Sequence, residues 1–183
     1  KNIPLGAGLG GGSSDVACII NFINDKHNLN LTLDEKINIG IKYGADVPYC
    51  LINDVCYVEG IGEKLTILDY KINKDVLIIY PNIFVSTKEV FNNVKLYNSA
   101  PSINEVSYML NNDFPSVLHN DLEEATFKLN PTLRKLKKSL QQYGDLVMSG
   151  SGSTMLLFTS DISIISKLKE KYPEYLIIPT KIL

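Results

Sequence analysis

The sequence predicts an α+β fold, because segments with helical and strand periodicity follow one another without the strict alternation of a doubly wound parallel sheet. The composition agrees with one sizeable core or two small ones, since 45% of the 183 residues are hydrophobic and 21% are charged. A third observation is local: five of the 12 glycines fall in one short stretch directly before the first predicted helix. We therefore expect a globular chain with a specialised loop near residue 10.

Two helices open the predicted order of elements. Residues 13–26 carry apolar side chains at helical spacing, and Ser13 or Ser14 is available as the N-cap. Residues 34–43 form a second predicted helix, which a glycine ends. We expect Pro48 to lie in the loop that follows.

Strand signals come next. Residues 55–59 and 64–68 flank a glycine-containing turn, which is typical of a hairpin. Residues 75–80 form a short apolar run that ends at a proline, which indicates a buried strand. This run lies at the boundary that we expect between a domain at residues 1–75 and a second domain at residues 76–183.

The second half of the chain predicts more helices, with a few strands between them. Ser86 with Glu89, and Ser102 with Glu105, are capping-box signatures, each of which opens a helix. The remaining predicted elements are helices at residues 121–129 and 131–143, strands at residues 145–148 and 154–159, a helix at residues 161–171 and a strand at residues 175–178.

Charge and cysteine content exclude several classes of function. The net charge is −2 and the isoelectric point is about 5.7, so no general basic field favours nucleic acid or anionic membranes. No apolar run approaches the roughly 18 residues of a spanning helix. The three cysteines form no Cys-x-x-Cys pair and there are only two histidines, which argues against a disulfide framework or a zinc site.

The most informative segment is the glycine-rich stretch at residues 4–17, PLGAGLGGGSSDVA. Glycines at this density leave out the Cβ atoms, so that backbone N–H groups can close around an anion. The helix that follows presents unpaired N–H groups and a positive dipole end at the same place. The pattern predicts a phosphate-binding loop at a helix N-terminus.

Other loop types fit this stretch less well. A P-loop requires a lysine that this stretch does not contain. The dinucleotide fingerprint is formally met by Gly6, Gly8 and Gly11, but Pro4 cuts off a preceding central strand and the acidic residue expected about 20 residues later is missing. A flexible linker is seldom followed at once by a well-patterned apolar helix.

Two further segments belong to the same pattern. Asp46 lies in the sequence GADVP, and residues 149–153 form a second glycine loop, SGSGS, that opens onto a strand. Either segment alone is usually a turn. In this order, the three segments resemble the motifs of the GHMP kinases, whose glycine loop reads P-x-G-x-G-L-G-S-S; two extra glycines are inserted here. The segments GIGEKL, STKEVF and HNDLE extend the resemblance over residues 4–154.

The resemblance implies a GHMP kinase fold, with an incomplete N-terminal part like the second domain of ribosomal protein S5 and a ferredoxin-like C-terminal domain. It implies an ATP- and Mg²⁺-dependent enzyme that phosphorylates a small-molecule alcohol. The long glycine loop with Asp15 favours the branch that acts on the 2-hydroxyl of a cytidine diphosphate-linked methylerythritol, in the non-mevalonate route to isoprenoids. A mevalonate-route or homoserine kinase, and a non-catalytic ligand-binding relative, stay open as alternatives.

The same resemblance assigns the candidate site residues. Asp46 would accept the proton of the attacking hydroxyl, and Ser14 is a candidate for contact with Mg²⁺. Phe91 would stack on the cytosine; the alternative is that it anchors its helix in the core beside Val90 and Val94. The residues assigned to ATP are Pro4, Gly6, Gly8, Leu9, Gly10, Gly11, Gly12, Ser13 and Ser14. The residues assigned to the substrate are Thr87, Phe91, Gly150, Ser151 and Gly152.

The HNDLE segment is expected to have a structural role. Asn120 and Asp121 are expected to cap a helix, and Glu123 and Glu124 to form its solvated first turn. His119 is expected to be structural or solvated.

Family members carry a long segment before the glycine loop, which supplies a lysine, an asparagine and the Tyr/His pair that holds the cytidine. We expect the 183 residues to lack that part, to be inactive alone and to expose sheet edge and apolar helix faces within residues 1–70. Lys1 is not a substitute for the lysine. The expected protein is a monomer or homodimer of the bacterial cytoplasm or of a plastid-type organelle.

Overall fold

The computed structural model describes residues 3–95, 100–161 and 163–182, so Lys1 lies outside the described residues. The chain forms two compact units. The small unit is Gly10–Lys71, and the large unit combines Lys1–Leu9 with Ile72–Leu183. The expected family domains at residues 1–75 and 76–183 stay a prediction.

The small unit consists of three helices and a hairpin. The helices are α1 (Gly11–Lys26), α2 (Leu33–Gly40) and α3 (Val47–Ile52). The strands β1 (Cys56–Glu59) and β2 (Lys64–Ile67) pair antiparallel, as the sequence predicts. The helices pack around Ala17, Ile20 and Val47, which form a small buried cluster. This cluster fixes α1 against α3, because Val47 is the first residue of α3 and Ala17 faces it from α1.

The start of α2 is defined by a capping box. Thr32 Oγ1 accepts a hydrogen bond from the backbone N–H of Glu35, and the Glu35 carboxylate accepts one from the N–H of Thr32 at 2.8 Å. These bonds to Thr32 hold the pKa of the Glu35 carboxyl below its usual value, because they stabilise the charged form. The helix therefore begins at the residue that local chemistry selects.

Two local expectations for the small unit are wrong. Helix α1 begins at Gly11 with Gly10 as its N-cap, in the left-handed conformation, so neither Ser13 nor Ser14 caps it. Pro48 does not lie in a loop but in the first turn of α3. A proline is tolerated there because the N–H that it lacks has no partner within the helix.

The large unit contains a four-stranded antiparallel sheet in the order β4-β5-β3-β6. Its strands are β3 (Lys74–Tyr80), β4 (Asp145–Met148), β5 (Met155–Phe158) and β6 (Leu176–Ile182). Strand β3 is central and pairs along its length with β6, from Lys74 opposite Ile182 to Tyr80 opposite Leu176. Helical segments connect β3 to β4 and β5 to β6, so the order of elements is that of a ferredoxin-like fold.

Helices complete the large unit. They are α4 (Thr87–Asn93), α5 (Ile103–Asn112), α6 (Leu122–Leu129), α7 (Pro131–Leu140) and α8 (Ile164–Lys171), with short 3₁₀ helices at Phe114–Val117 and Gln141–Tyr143. Both predicted N-caps are present, since Ser86 and Ser102 accept hydrogen bonds from the backbone N–H groups of Glu89 and Glu105. No helix within the described ranges is long and apolar enough to cross a membrane.

The core of the large unit lies between the sheet and its helices. Leu133, Leu136 and Leu140 occupy one face of α7 and are almost completely buried. They pack with Ile79 of β3 and Leu157 of β5, which are fully buried. This core supports the loop between β4 and β5, which contains the candidate residues 150–152.

Candidate functional site

The two predicted glycine loops interlock within the large unit. Ser149 Oγ donates a hydrogen bond to the carbonyl oxygen of Gly8 at 2.8 Å, and the Thr154 N–H donates one to the carbonyl of Ala7 at 3.2 Å. Gly8 has a φ of +75°, and a Cβ atom there would lie 2.2 Å from the Ser149 carbonyl oxygen. Only glycine fits this position, because both the backbone conformation and the close approach exclude a side chain.

Gly6 is held by the segment that follows β3. It has a φ of +65°, and its Cα is covered by the ring of Phe84, since an added Cβ would lie 2.4 Å from Phe84 Cδ2. The Val85 N–H donates a hydrogen bond to the Gly6 carbonyl at 3.4 Å. The first part of the glycine-rich stretch is therefore held on two sides, by Phe84 and Val85 and by residues 149–154.

Three predicted substrate-binding residues lie next to this interlock. Thr87 and Ser151 share a hydrogen bond between their hydroxyl oxygens at 2.8 Å, although 64 residues separate them in the sequence. Phe91 lies one turn after Thr87 on α4, and 57% of its surface is exposed. The alternative that Phe91 anchors the helix in the core is wrong, because Val90 fills that position and is fully buried. Phe91 therefore presents an aromatic face to solvent.

The HNDLE segment supports the second glycine loop. Asn120 Oδ1 accepts the Leu122 N–H at 2.9 Å, as expected of a cap, while its side-chain amide reaches two carbonyl groups of the loop. Asp121 occupies the N-cap position of α6 without a side-chain cap bond, and its carboxylate contacts His119 at 2.7 Å.

The expectation that Glu123 is solvated is wrong. Its side chain is only 14% exposed, it pairs with Lys137, and it accepts the backbone N–H of Met148 at 2.9 Å. Glu124 is more exposed, at 57%, and pairs with Arg134 at 2.9 Å. The packing of α6 against β4 buries the Glu123 carboxylate and leaves that of Glu124 at the surface.

The second part of the glycine-rich stretch forms the N-terminus of α1 in the small unit. Gly10 is the N-cap with a φ of +61°, and no side chain caps the helix. A Cβ atom built at Gly10 or Gly12 meets no atom within 4 Å. The first turn therefore leaves backbone N–H groups and open space together, at the positive end of a 16-residue helix.

Asp46 lies beside this turn within the small unit. It is exposed and precedes α3, whose first residues Val47 and Pro48 are buried. Gly44, two residues before it, is so close to the first turn of α1 that an added Cβ would lie 3.7 Å from Ser13 Oγ. The packing of α3 on α1 thus brings the predicted carboxylate to the same end of the unit as the predicted anion site.

The charge of Asp46 acts on the neighbouring thiol of Cys50. Burial raises the pKa of the Cys50 thiol, one turn later on α3, and the negative charge of Asp46 raises it further.

Within the described parts of the chain, no group of three or more His, Cys, Asp or Glu side chains could hold a metal ion. The site can therefore offer isolated oxygen ligands, such as the exposed Ser14 hydroxyl, rather than a complete protein cage.

Each unit thus assembles part of the predicted set. The large unit brings Pro4–Leu9 together with Thr87, Phe91 and residues 149–152, and the small unit brings Gly10–Ser14 together with Asp46. Sequence reasoning missed the support from Glu123 and Thr126. Their signal is the spacing of three residues from Asn120 to Glu123 and from Glu123 to Thr126, which places polar groups on one side of a helix.

Models of two families match the chain: the GHMP kinases N terminal domain at residues 1–54 and the GHMP kinases C terminal domain at residues 101–176. A 4-diphosphocytidyl-2-C-methyl-D-erythritol kinase of Clostridium perfringens is 37% identical over 94% of this chain and 64% of its own length. The enzyme of that name from Clostridium botulinum (strain Alaska E43 / Type E3) is 37% identical over 98% of this chain and 69% of its own length.

Solved structures agree with these matches. A crystal structure of 4-(cytidine 5'-diphospho)-2C-methyl-D-erythritol kinase is 26% identical, with a TM-score of 0.77 over 98% of this chain and 68% of that one. A homoserine kinase from Cytophaga hutchinsonii shares the fold, with a TM-score of 0.75 at 19% identity. The chain spans about two thirds of the length of these relatives, from 64% to 69%. On the identity and coverage of these relatives, the chain belongs to the GHMP kinase family.

Proposed function

We propose that this chain is part of a kinase that transfers the γ-phosphoryl group of ATP to the 2-hydroxyl of 4-diphosphocytidyl-2-C-methyl-D-erythritol. The observation that carries the proposal is the 37% identity, over nearly the whole chain, to relatives named for that substrate. The interlock of Gly8 with Ser149 supports it, because it keeps the two glycine loops together as a ligand-binding surface. A monomer or homodimer of the bacterial cytoplasm or a plastid stays our expectation for the protein.

Backbone N–H groups of residues 8–14 hold the ATP phosphates in this proposal. The first turn of α1 has no side-chain cap, and the glycines before it add no Cβ atoms that would fill the space of a phosphate. The helix dipole adds a positive end, which favours an anion. Phosphoryl transfer asks a protein mainly for positioning and charge stabilisation, and such a loop supplies both.

Asp46 is the proposed general base. Its carboxylate is exposed, makes no cap hydrogen bond to α3, and is free to accept a proton from a substrate hydroxyl. The buried Val47 and Pro48 fix the backbone directly after it. The chain thus presents an exposed carboxylate on a backbone that the buried residues after it hold in place, and this carboxylate does not cap the helix.

Mg²⁺ is proposed to enter with ATP and to neutralise charge on the phosphates. This ion usually keeps several waters and takes only one or two protein ligands beside substrate phosphates. The exposed Ser14 hydroxyl in the first turn of α1 fits such a role, and so does the scarcity of acidic clusters among the described residues.

Thr87, Phe91 and the loop at residues 150–152 are proposed to bind the substrate. We expect Phe91→Ala to weaken binding of the cytidyl substrate about 10-fold or more, because base–aromatic stacking is lost. The melting temperature should change little, since Phe91 is 57% exposed. Isothermal titration calorimetry measures the dissociation constant, with Tyr108→Ala as the control, because Tyr108 is a 67% exposed aromatic residue on another helix. An unchanged dissociation constant would remove Phe91 from the substrate site.

A substrate panel tests the proposed function. The protein, expressed with any sequence that its gene places before residue 1, is incubated with ATP, Mg²⁺ and one acceptor at a time. We expect phosphorylation of the cytidyl compound and at least 100-fold lower kcat/KM for mevalonate and homoserine, since sites that hydrogen-bond one substrate reject others strongly. Phosphorylation of mevalonate or homoserine instead would assign another member of the family. Binding of the cytidyl compound without turnover would indicate a non-catalytic relative.

A further inference from the structure

We propose that Asn120 is a positioning residue, which holds the loop at residues 149–153 in the conformation that binds the phosphoryl acceptor. The inference rests on the proposed function, and it adds a residue outside the three glycine and aspartate motifs. Asn120 lies at the start of α6, and its side chain is partly buried.

The side-chain amide of Asn120 bridges the beginning of the loop. Nδ2 donates one hydrogen bond to the Met148 carbonyl and another to the Gly150 carbonyl, both at 2.7 Å. Oδ1 accepts the Leu122 N–H at 2.9 Å, which fixes the orientation of the amide. Both donors of the NH₂ group are used, so any other side chain of this size would leave a carbonyl without its partner.

Two side chains of α6 itself hold the same loop. Glu123 Oε1 accepts the Met148 N–H at 2.9 Å, and Thr126 Oγ1 donates to the Ser151 carbonyl at 3.1 Å. Thr126 is fully buried. The spacing of three residues from Asn120 to Glu123 to Thr126 places a row of polar groups along the loop.

The loop that this row supports carries the proposed substrate contacts. Gly150 has a φ of +53°, which glycine adopts without strain but is not confined to, so the hydrogen bond from Asn120 helps to select this one conformation. Ser151 contacts Thr87, and Ser149 holds the Gly8 carbonyl. A shift of Gly150 would therefore move the hydroxyl of Ser151 and the backbone around it, which are the groups proposed to meet the acceptor.

Asn120→Asp is the sharpest substitution, because it keeps the size of the side chain and the oxygen that accepts the Leu122 N–H. It replaces both donors with an oxygen that faces two carbonyl groups. The two lost hydrogen bonds correspond to about a 30-fold weaker binding of the acceptor. We expect most of this loss in the KM and dissociation constant of the acceptor rather than in kcat.

The pH dependence gives a readout that loss of folding alone would not produce. The two carbonyl oxygens favour the protonated form of the introduced carboxyl, whereas the hydrogen bond from the Leu122 N–H favours its charged form. Its protonated form can donate one hydrogen bond to a carbonyl. The affinity of Asn120→Asp, relative to the unsubstituted chain at the same pH, should therefore recover in part as the pH falls from 8 to 5.5.

Two comparisons keep the test decisive. Thr126→Val removes one hydrogen bond to the loop without changing the volume of the side chain, and we expect about a 5-fold weaker binding. Asn111→Asp is the matched control, because the Asn111 amide donates to the Ser107 carbonyl at 2.8 Å on the exposed surface of α5. We expect this control to bind the acceptor as the unsubstituted chain does.

The measurements are acceptor affinity by calorimetry, steady-state kinetics and hydrogen exchange at the Gly152 amide, which donates to the Ser149 carbonyl at 2.9 Å. Faster exchange and weaker affinity in Asn120→Asp, with neither in Asn111→Asp, are the expected result. Equal affinity in Asn120→Asp and the unsubstituted chain overturns the inference. All variants are made in the protein expressed with any sequence that its gene places before residue 1. Failure of the proposed function is a separate outcome, because the unsubstituted protein would then leave the acceptor unphosphorylated.

Discussion

Replacing Asp46 by asparagine is expected to lower kcat about 10²- to 10⁴-fold, the range that a general base contributes to an enzymatic rate. The asparagine keeps the shape of the side chain and removes the oxygen that takes the proton. The structure indicates that the fold will tolerate the change, because the Asp46 carboxylate makes no cap hydrogen bond and is exposed. ATP binding should be nearly intact, since the proposed phosphate contacts are backbone N–H groups of other residues.

The measurement is kcat at saturating ATP and acceptor, together with the dissociation constant for ATP by calorimetry. Asp25→Asn is a matched control, because it makes the same chemical change at an exposed position. Asp25 lies near the C-terminus of α1, at the end of the helix opposite to the glycine-rich stretch. We expect that control to retain full activity. Substantial turnover by Asp46→Asn would remove Asp46 from the mechanism and leave only a binding role for this end of the small unit.

The second large effect is expected at Gly8. Substitution by alanine places a Cβ 2.2 Å from the Ser149 carbonyl oxygen and 2.8 Å from that of Gly152, in a residue whose φ is +75°. Strain of a non-glycine residue in the left-handed region and overpacking against backbone together cost about 2–6 kcal/mol. We expect the melting temperature to fall by roughly 5–20 °C and the bond from Ser149 to the Gly8 carbonyl to break.

Alanine substitutions of two neighbouring glycines separate the two causes of the lower melting temperature, backbone strain and overpacking. Gly10→Ala tests backbone strain alone, because its φ is +61° but an added Cβ meets no atom within 4 Å. Gly12→Ala tests neither, since Gly12 lies inside α1 with open space around it, and alanine there should stabilise the helix by up to about 1 kcal/mol. The expected order of melting temperatures by differential scanning calorimetry is Gly12→Ala, then Gly10→Ala, then Gly8→Ala. Equal melting temperatures for the three variants would show that the glycine loops do not interlock as described.

Much of the helix and strand order was predictable because its signals are local. Ser86, Ser102 and their glutamates are capping signatures that need only four consecutive residues, and both serines cap their helices. The hairpin of β1 and β2 depends on a glycine turn between two apolar runs. The glycine-rich stretch could be assigned to a family because its motif is contiguous. Glycines without side chains are followed directly by a helix, and this pattern binds phosphate.

The structure decided three features that the sequence signals left open. The serines after Gly12 fall inside α1, because a left-handed Gly10 already begins the helix. Glu123 has the sequence signature of a solvated first turn, yet the approach of β4 supplies the Met148 N–H and draws it inside. Phe91 and Val90 are adjacent and both apolar, and only the packing of α4 chooses which one is buried.

The sequence by itself determined the family and the place of the two glycine loops, because these follow from the types and order of nearby residues. The role of Asp46 is a prediction from the same kind of local pattern. The structure alone decided that Gly8 meets Ser149, that Thr87 meets Ser151 and that Asn120 spans Met148 and Gly150. Each of these contacts joins residues far apart in the chain. Such contacts form only when the sheet and its helices close around a common core, so no short stretch of sequence can encode them.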